Sequence, residues 1–236
     1  MEITNEKLKL TFQIIFNKNM DKITPEDLQS LESISINSQG LSPEETELNV
    51  LETMKHCPNL KEISFIYTFI TKKILEVLST TNIKKITFDN SAFEDEKAIH
   101  LPESVTYLKM NKCFLDNYDN FLKQLPSMLE ILYINYPSDE STIHISLLNQ
   151  LKKLQKVVLD GCIVDFNNID LQECDYLSLL GTSISEKAIE DISHLQKLKK
   201  FYISKKYNEL KGIKGFPPTV EIKNDLSEYV YDDEEL

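Results

Sequence analysis

Four cysteines and four histidines are the side chains of this chain best suited to nucleophilic catalysis or metal binding. Such groups act only where they converge, commonly from closely spaced motifs. No two cysteines form a C-x-x-C pair, and no HExxH, GxSxG, EF-hand or Gly-rich phosphate motif occurs. We therefore predict no catalytic residue, no metal site and no cofactor. These residues are Cys57, Cys113, Cys162, Cys174, His56, His100, His144 and His194.

The composition restricts the classes of ligand. The chain has 26 basic and 38 acidic residues, a net charge of −12, and every basic residue is Lys. Arg is the usual bidentate reader of phosphate and guanine, so we expect no nucleic-acid partner. No apolar run is long enough for a membrane span, and the first residues do not resemble a signal peptide. We expect a cytoplasmic protein with reduced cysteines, monomeric when free.

A leucine-rich pattern recurs along the chain and must position any functional residue. The segment 154–164 matches L-x-x-L-x-L-x-x-[N/C/T]-x-L, with apolar residues at offsets 1, 4, 6 and 11 and Cys162 at offset 9. Seven other segments match it wholly or in part. The eight offset-4 residues are Ile34, Ile63, Ile86, Leu108, Leu132, Val157, Leu177 and Phe201. Most of their separations fall within the 20–29 residues of leucine-rich repeats.

Each repeat is predicted to be a short strand followed by a short helix. The expected fold is an α/β leucine-rich-repeat solenoid of about eight repeats, with a curved parallel sheet on the concave side and short helices on the convex side. Candidate helices cover 43–55, 72–78, 120–125, 143–151 and 185–195.

The ends of the chain depart from the repeat pattern. We expect an N-terminal cap at 1–27, leucine-rich repeats at 28–206, a C-terminal cap or edge at 207–224 and an acidic tail at 225–236. A cap is needed because the first repeat would otherwise expose its apolar end. The tail carries six acidic residues and no Lys, so half of the net charge lies there.

The sequence also resembles two groups of repeat proteins. The run ITPEDLQSLESISI at 23–36, followed by Gly40-Leu41, resembles the junction of cap and first repeat in bacterial internalin-like proteins. The Cys-Pro-Asn-Leu at 57–60 and the cysteines at offset 9 resemble the repeats of F-box adaptors instead, but 1–27 is too short for a complete F-box. The resemblance to leucine-rich-repeat proteins implies non-catalytic recognition of a protein through the concave face.

Strand alternation places the residues between core positions on the opposite face of the sheet. From the fourth repeat onward these residues are mainly aromatic or aliphatic, with a polar rim. Tyr offers a large contact area and few rotors, which favours a binding site, although Tyr and Val are also ordinary strand residues. The lysines offer a second possibility, an anion site. The predicted binding residues are Tyr107, Lys109, Ile131, Tyr133, Lys156, Val158, Asp160, Tyr176, Leu180 and Tyr202.

The preferred hypothesis is a non-enzymatic protein-interaction scaffold that binds a protein partner through the concave face of repeats four to eight. Toxin-neutralising, adaptor and effector roles all agree with such a scaffold. One alternative is an enzyme with an atypical site near Asp89 and Asp160. These two residues lie three predicted strands apart, roughly 14 Å, which exceeds the carboxylate separations of glycoside hydrolases. A further alternative is a structural protein that associates with itself.

Overall fold

The computed structural model describes residues 3–95, 97, 99–137, 141–207 and 211–224. The predicted acidic tail at 225–236 lies outside the described residues. The α-helices of the described residues are α1 (Glu6–Phe16), α2 (Pro25–Gln29), α3 (Pro43–His56), α4 (Lys72–Ser79), α5 (Tyr118–Leu122) and α6 (Glu186–Ser193). Short 3-10 helices cover Met20–Lys22, Ile145–Gln150, Lys205–Tyr207 and Lys211–Gly215.

Parallel strands form the other layer. They are β1 (Ser33–Asn37), β2 (Glu62–Ile66), β3 (Phe69–Ile70), β4 (Lys85–Asp89), β5 (Ala92–Phe93), β6 (Tyr107–Asn111), β7 (Ile131–Asn135), β8 (Thr142–His144), β9 (Lys156–Val158), β10 (Ile163–Asp165), β11 (Tyr176–Leu179), β12 (Lys200–Ile203) and β13 (Glu221–Lys223). Nine of them form one sheet in the order β1-β2-β4-β6-β7-β9-β11-β12-β13, while β3 pairs with β5 and β8 with β10.

The offset-4 residues lie in one register across the large sheet. Ile34 pairs with Ile63, Ile63 with Ile86, and the same row continues through every later repeat to Phe201. All members of this row are buried in a single core cluster. The predicted leucine-rich-repeat solenoid is therefore confirmed, with the sheet along one side and the helices along the other. The number of repeats stays a prediction.

Local signals set the starts of the first helices. Thr24 accepts a hydrogen bond from the backbone N–H of Asp27, whose carboxylate accepts one from the N–H of Thr24, and Pro25 occupies the first helical position. Ser42 and Glu45 form the same capping box at α3. Such reciprocal bonds satisfy backbone donors that a helix leaves unpaired at its N-terminus.

The first described residues are held to the solenoid from two sides. Leu8 and Phe12 of α1 are buried in the core. The carboxylate of Glu52 on α3 accepts hydrogen bonds from the backbone N–H groups of Thr4, at 3.0 Å, and Asn5, at 3.4 Å. The chain before β1 therefore packs on the first repeat and covers its apolar end.

Two predicted helices differ from the structure. The helix predicted at 120–125 is α5, which begins at Tyr118 because the side chain of Asn117 caps it by accepting from the N–H of Asn120. The segment predicted as a helix at 143–151 begins in strand β8 and continues as a 3-10 helix. Ile143 pairs with Val164 of β10, and β-branched residues such as these favour strands.

A small side chain at offset 9 links four of the repeats to the one before it. Its hydroxyl or thiol donates to a carbonyl at offset 6 of the preceding repeat, as predicted for an inward-turned ladder. The bonds are Ser91 to Phe65 (3.4 Å), Cys113 to Phe88 (3.4 Å), Cys162 to Ile134 (3.2 Å) and Thr182 to Leu159 (2.6 Å). Burial raises the pKa of the Cys113 thiol to about 12 and also raises that of Cys162. These thiols act as structural donors.

The chain turns after most strands through a residue in the left-handed region. The residue at offset 8 has a φ between 48° and 74° in six consecutive repeats. Glycine adopts this conformation without strain, whereas a residue with a Cβ is strained there. The six residues are Tyr67, Asn90, Lys112, Tyr136, Gly161 and Gly181.

Candidate functional site

The sheet face is the surface of the large sheet opposite the core, formed by the residues that alternate with core positions in each strand. Its character changes along the solenoid. In β1 the alternate residues are small, polar and exposed, whereas in β12 Tyr202 is buried and only Lys200 is exposed. Larger side chains on later strands cover one another, because neighbouring strands lie only about 4.8 Å apart. The sheet face is therefore an open polar surface at one end and a packed aromatic surface at the other.

A hollow of about 530 Å³ lies on this face, along the starts of the strands from β2 to β12. We call it the Lys–Tyr groove. Its lining residues are Glu62, Lys84, Lys85, Thr106, Tyr107, Glu130, Ile131, Tyr133, Gln155, Lys156, Asp175, Tyr176, Lys199 and Lys200.

Lysine ammonium groups and tyrosine rings alternate across the floor of the groove. Lys85 Nζ lies 4.5 Å from the centre of the Tyr107 ring, which is 5.6 Å from the Tyr133 ring. Lys156 Nζ lies between two rings, 5.2 Å from Tyr133 and 4.5 Å from Tyr176. A cation at these distances is attracted to the ring face. The contacts hold each ammonium above an apolar floor.

The tyrosines of the later repeats are fixed by stacking. The rings of Tyr176 and Tyr202 are 5.0 Å apart and nearly parallel. Burial, followed by the neighbouring Tyr202 hydroxyl, raises the pKa of Tyr176 well above its usual range. The phenol of Tyr176 is therefore neutral at physiological pH, and the groove offers it as a hydrogen-bonding group with an apolar body.

The structure brings together half of the predicted binding residues. Tyr107, Ile131, Tyr133, Lys156 and Tyr176 line the groove. Two other predicted residues contact the tyrosines of the groove. Lys109 Nζ lies 5.6 Å from the Tyr133 ring centre, and Tyr202 stacks on Tyr176.

Three predicted residues do not face outward. Val158 lies between its two pairing partners, the large Tyr133 on one side and Ser178 on the other. These neighbours enclose it, and it is fully buried. Asp160 and Leu180 are buried because β9 ends at Val158 and β11 at Leu179. Strand alternation does not extend past the last strand residue, which explains the burial of Asp160 and Leu180, whereas Val158 lies within β9 and is covered by its neighbours. The prediction that these three side chains are exposed is wrong.

Asp160 has a structural role within the protein. Its side chain is 3% exposed. The carboxylate accepts hydrogen bonds from Ser178 Oγ at 2.7 Å and from the backbone N–H of Leu180 at 2.9 Å. Its own carbonyl accepts from the N–H of Tyr136 at 2.8 Å. Asp160 therefore connects three consecutive repeats.

The carboxylates of the alternative enzyme hypothesis are not paired with each other. Asp89 accepts hydrogen bonds from the side-chain amides of Asn90, at 2.9 Å, and Asn111, at 2.7 Å, while Asp160 is bound as described above. Among the residues that the structure describes, no group of three or more His, Cys, Asp or Glu side chains could hold a metal ion. Both carboxylates therefore accept hydrogen bonds from other side chains or backbone groups of the protein.

The predicted binding residues do not include the lysines at the starts of two strands. Lys84 and Lys199 directly precede β4 and β12, and Lys85 and Lys200 are the first residues of those strands. The double lysines at these two equivalent positions were the available signal. Among the described ion pairs, one involves these four lysines: Lys199 contacts the carboxylate of Asp175 at 3.0 Å.

The fold and the groove together define a leucine-rich-repeat protein with a polar and aromatic surface on its sheet. The structure is similar to that of internalin C2 from Listeria monocytogenes, with a TM-score of 0.52 and 16% identity over 93% of this chain and 83% of that one. A second internalin (inlF) of Listeria monocytogenes matches with a TM-score of 0.46 and 11% identity over 92% and 94% of the two chains. The expected likeness to internalins is thus confirmed at the level of the fold.

No protein-family model and no curated protein sequence matches the chain. Within the described part of the chain, no helix is long and apolar enough to cross a membrane.

Proposed function

We propose that this protein is a non-enzymatic scaffold that binds a protein partner through the Lys–Tyr groove. The observation that carries the proposal is the ladder of Lys85, Tyr107, Tyr133, Lys156 and Tyr176, in which Tyr133 is buried and the other four side chains are half-buried. Tyr rings with fixed orientation lose little entropy on binding, and they concentrate binding energy in protein interfaces.

The proposal moves the predicted binding surface. The sequence favoured outward residues at the starts, middles and ends of the strands in repeats four to eight, whereas the groove follows the strand starts and reaches back to β2. The toxin-neutralising, adaptor and effector roles remain equally compatible with it. The cytoplasmic location, the monomeric state and the four-part division of the chain also remain predictions.

A pull-down with a matched control tests the proposal. Tyr107→Ala/Tyr176→Ala removes two half-buried rings of the groove, and we expect at least a tenfold loss of partner recovered from cells of the source organism, as for interface hot spots. Tyr67→Ala is the control, because Tyr67 is 50% exposed and lies beyond the end of β2. Tyr133 and Tyr202 are less suitable, since both are buried and their loss would weaken the fold.

Partners identified by mass spectrometry would then be titrated as purified proteins. Equal affinity for the wild type and for the folded double variant would reject the groove as the binding surface. Mass measurements by light scattering at rising concentration address the self-association alternative. If the mass doubles as the concentration rises, and if the double variant does not show this increase, the result would favour self-association over a heterologous partner.

A further inference from the structure

Local charge in the Lys–Tyr groove is opposite in sign to that of the whole protein. The chain carries −12, but the groove is lined by five lysines and three acidic residues, a local charge of +2. One of the three acids, Asp175, already contacts Lys199 at 3.0 Å. A groove of this sign on an acidic protein attracts negative ligands and repels other acidic regions of the protein's own surface.

The first residues of the strands form a continuous row across the sheet. The pairing places them side by side, one residue per strand. In order, the row is Glu62, Lys85, Tyr107, Ile131, Lys156, Tyr176, Lys200 and Glu221. The lysines are therefore separated by apolar or aromatic residues, and a glutamate stands at each end.

The spacing of this row matches that of an extended peptide. Lys85 and Lys156 are three strands apart, roughly 14 Å, and Lys156 and Lys200 are two strands apart, roughly 10 Å. A peptide in extended conformation rises about 3.3 Å per residue, so these distances correspond to about four and three residues. Because side chains of an extended peptide alternate between two faces, carboxylates that all face the row stand at even offsets, and positions i, i+4 and i+8 come closest to the three lysines.

We infer that the partner presents an extended acidic segment of about nine residues to this row, an inference that rests on the proposed function. Carboxylates bind Lys85, Lys156 and Lys200, and apolar side chains between them lie on Tyr107, Ile131 and Tyr176. Glu62 and Glu221 repel a segment that carries acidic residues beyond these limits, and thereby set its length and register. The cation–π contacts hold the ammonium groups of Lys85 and Lys156 in place before the ligand arrives.

The inference is tested by fluorescence anisotropy with synthetic peptides and the full chain. The probe is a labelled nine-residue peptide with Glu at positions 1, 5 and 9 and Tyr, Leu or Ser elsewhere. Its control has the same composition with the three Glu residues adjacent. We expect the spaced peptide to bind several-fold more tightly and its affinity to fall as salt is raised from 20 to 200 mM, as for any charge-driven contact (Debye length about 20 Å falling to about 7 Å).

Lysine variants assign the binding to the row. Lys85→Gln, Lys156→Gln and Lys200→Gln are each expected to weaken the spaced peptide by about 2- to 5-fold, the ratio of a partly exposed ion pair. Lys72→Gln on α4 is the matched control, since Lys72 is exposed and lies outside the groove. Equal affinity for both peptides, or no effect of the three substitutions, would overturn the inference.

Two further arms separate competing explanations. In the first arm, the titration is repeated with a variant whose six acidic residues in 225–236 are changed to Asn or Gln. Acidic groups of this segment then cannot compete with the peptide for the lysines. If this variant also fails to bind the spaced peptide, the inference is overturned. A single-stranded DNA oligonucleotide of equal charge is the second arm. Binding of the oligonucleotide as tight as that of the spaced peptide would contradict a peptide ligand.

The pull-down distinguishes this inference from the proposed function. A partner that is lost with the Tyr107→Ala/Tyr176→Ala variant but retained by all three lysine variants would leave the groove as an interface and remove the acidic segment.

Discussion

Replacement of Asp160 by Ala tests whether this carboxylate stabilises the fold or contacts a ligand. The substitution leaves two buried donors, Ser178 Oγ and the N–H of Leu180, without the acceptor that they now share. An unsatisfied buried donor costs about 1–3 kcal/mol. The hydroxyl can rotate, whereas the backbone N–H cannot, so we expect the free energy of unfolding to fall by about 2–4 kcal/mol.

Asp89→Ala supplies the comparison, measured by urea denaturation followed by circular dichroism. Asp89 accepts from the side-chain amides of Asn90 and Asn111, which can turn towards water, and we expect a loss of about 1 kcal/mol or less. In the background of Asp160→Ala, a second change, Ser178→Ala, should cost little more, because the bond is already lost. The reasoning is refuted if Asp160→Ala is no more destabilising than Asp89→Ala, or if it weakens ligand binding while stability is unchanged.

Three other perturbations follow from the fold. Gly161→Ala places a Cβ 2.3 Å from the Tyr136 ring at a φ of +68°, so the free energy of unfolding measured by urea denaturation should fall by about 2–3 kcal/mol. Gly40→Ala, where nothing lies within 4 Å, should cost about 1 kcal/mol. If Tyr136→Ala does not restore stability to Gly161→Ala, the clash is not the cause. All four cysteines are buried, and burial raises the pKa of each thiol. Ellman's reagent at pH 8 should therefore react with the four thiols only after unfolding. Rapid labelling of the native protein would disprove this prediction. Burial raises the pKa of Glu52, but its hydrogen bonds to Thr4 and Asn5 and the nearby His56 together lower it more, so the net shift is downward. The stabilising contribution of Glu52 is therefore present above the ordinary pKa of 4.5 and is lost as pH falls through the folded value. Glu52→Gln should flatten this acid limb of the stability profile.

Much of the fold could be predicted because the same residue pattern recurs in successive repeats. The offset-4 residues reveal the strand register even though the connections between them differ in length. The N-cap of α2 was recognisable from Thr24 and Pro25 alone, since the cap residue and the first helical residue are adjacent in sequence. The ladder at offset 9 was also predictable, because small donors recur there.

The site could be predicted only in part. Alternation identifies a face correctly inside a strand, as for Tyr107 and Tyr176, but it gives no information on where the strand ends, which is why Asp160 was misassigned. It also cannot show how far neighbours cover a side chain, as they cover Val158. Groove depth depends on the curvature of the whole sheet, and no single repeat encodes that.

The ladder at offset 9 has one interruption with a consequence for cooperativity. The fifth repeat has Pro137 at this offset, and proline offers neither a hydroxyl nor an N–H. The side-chain bonds between repeats therefore form two runs, one ending at Cys113 and one that includes Cys162. The backbone ladder between β6 and β7 is intact, but in an array whose repeats interact only with their neighbours we expect the missing side-chain bond to give two blocks that exchange amide hydrogens at different rates. The boundary lies between β6 and β7, beneath Tyr107 and Tyr133, so a ligand that spans Lys85 and Lys200 would couple the two blocks.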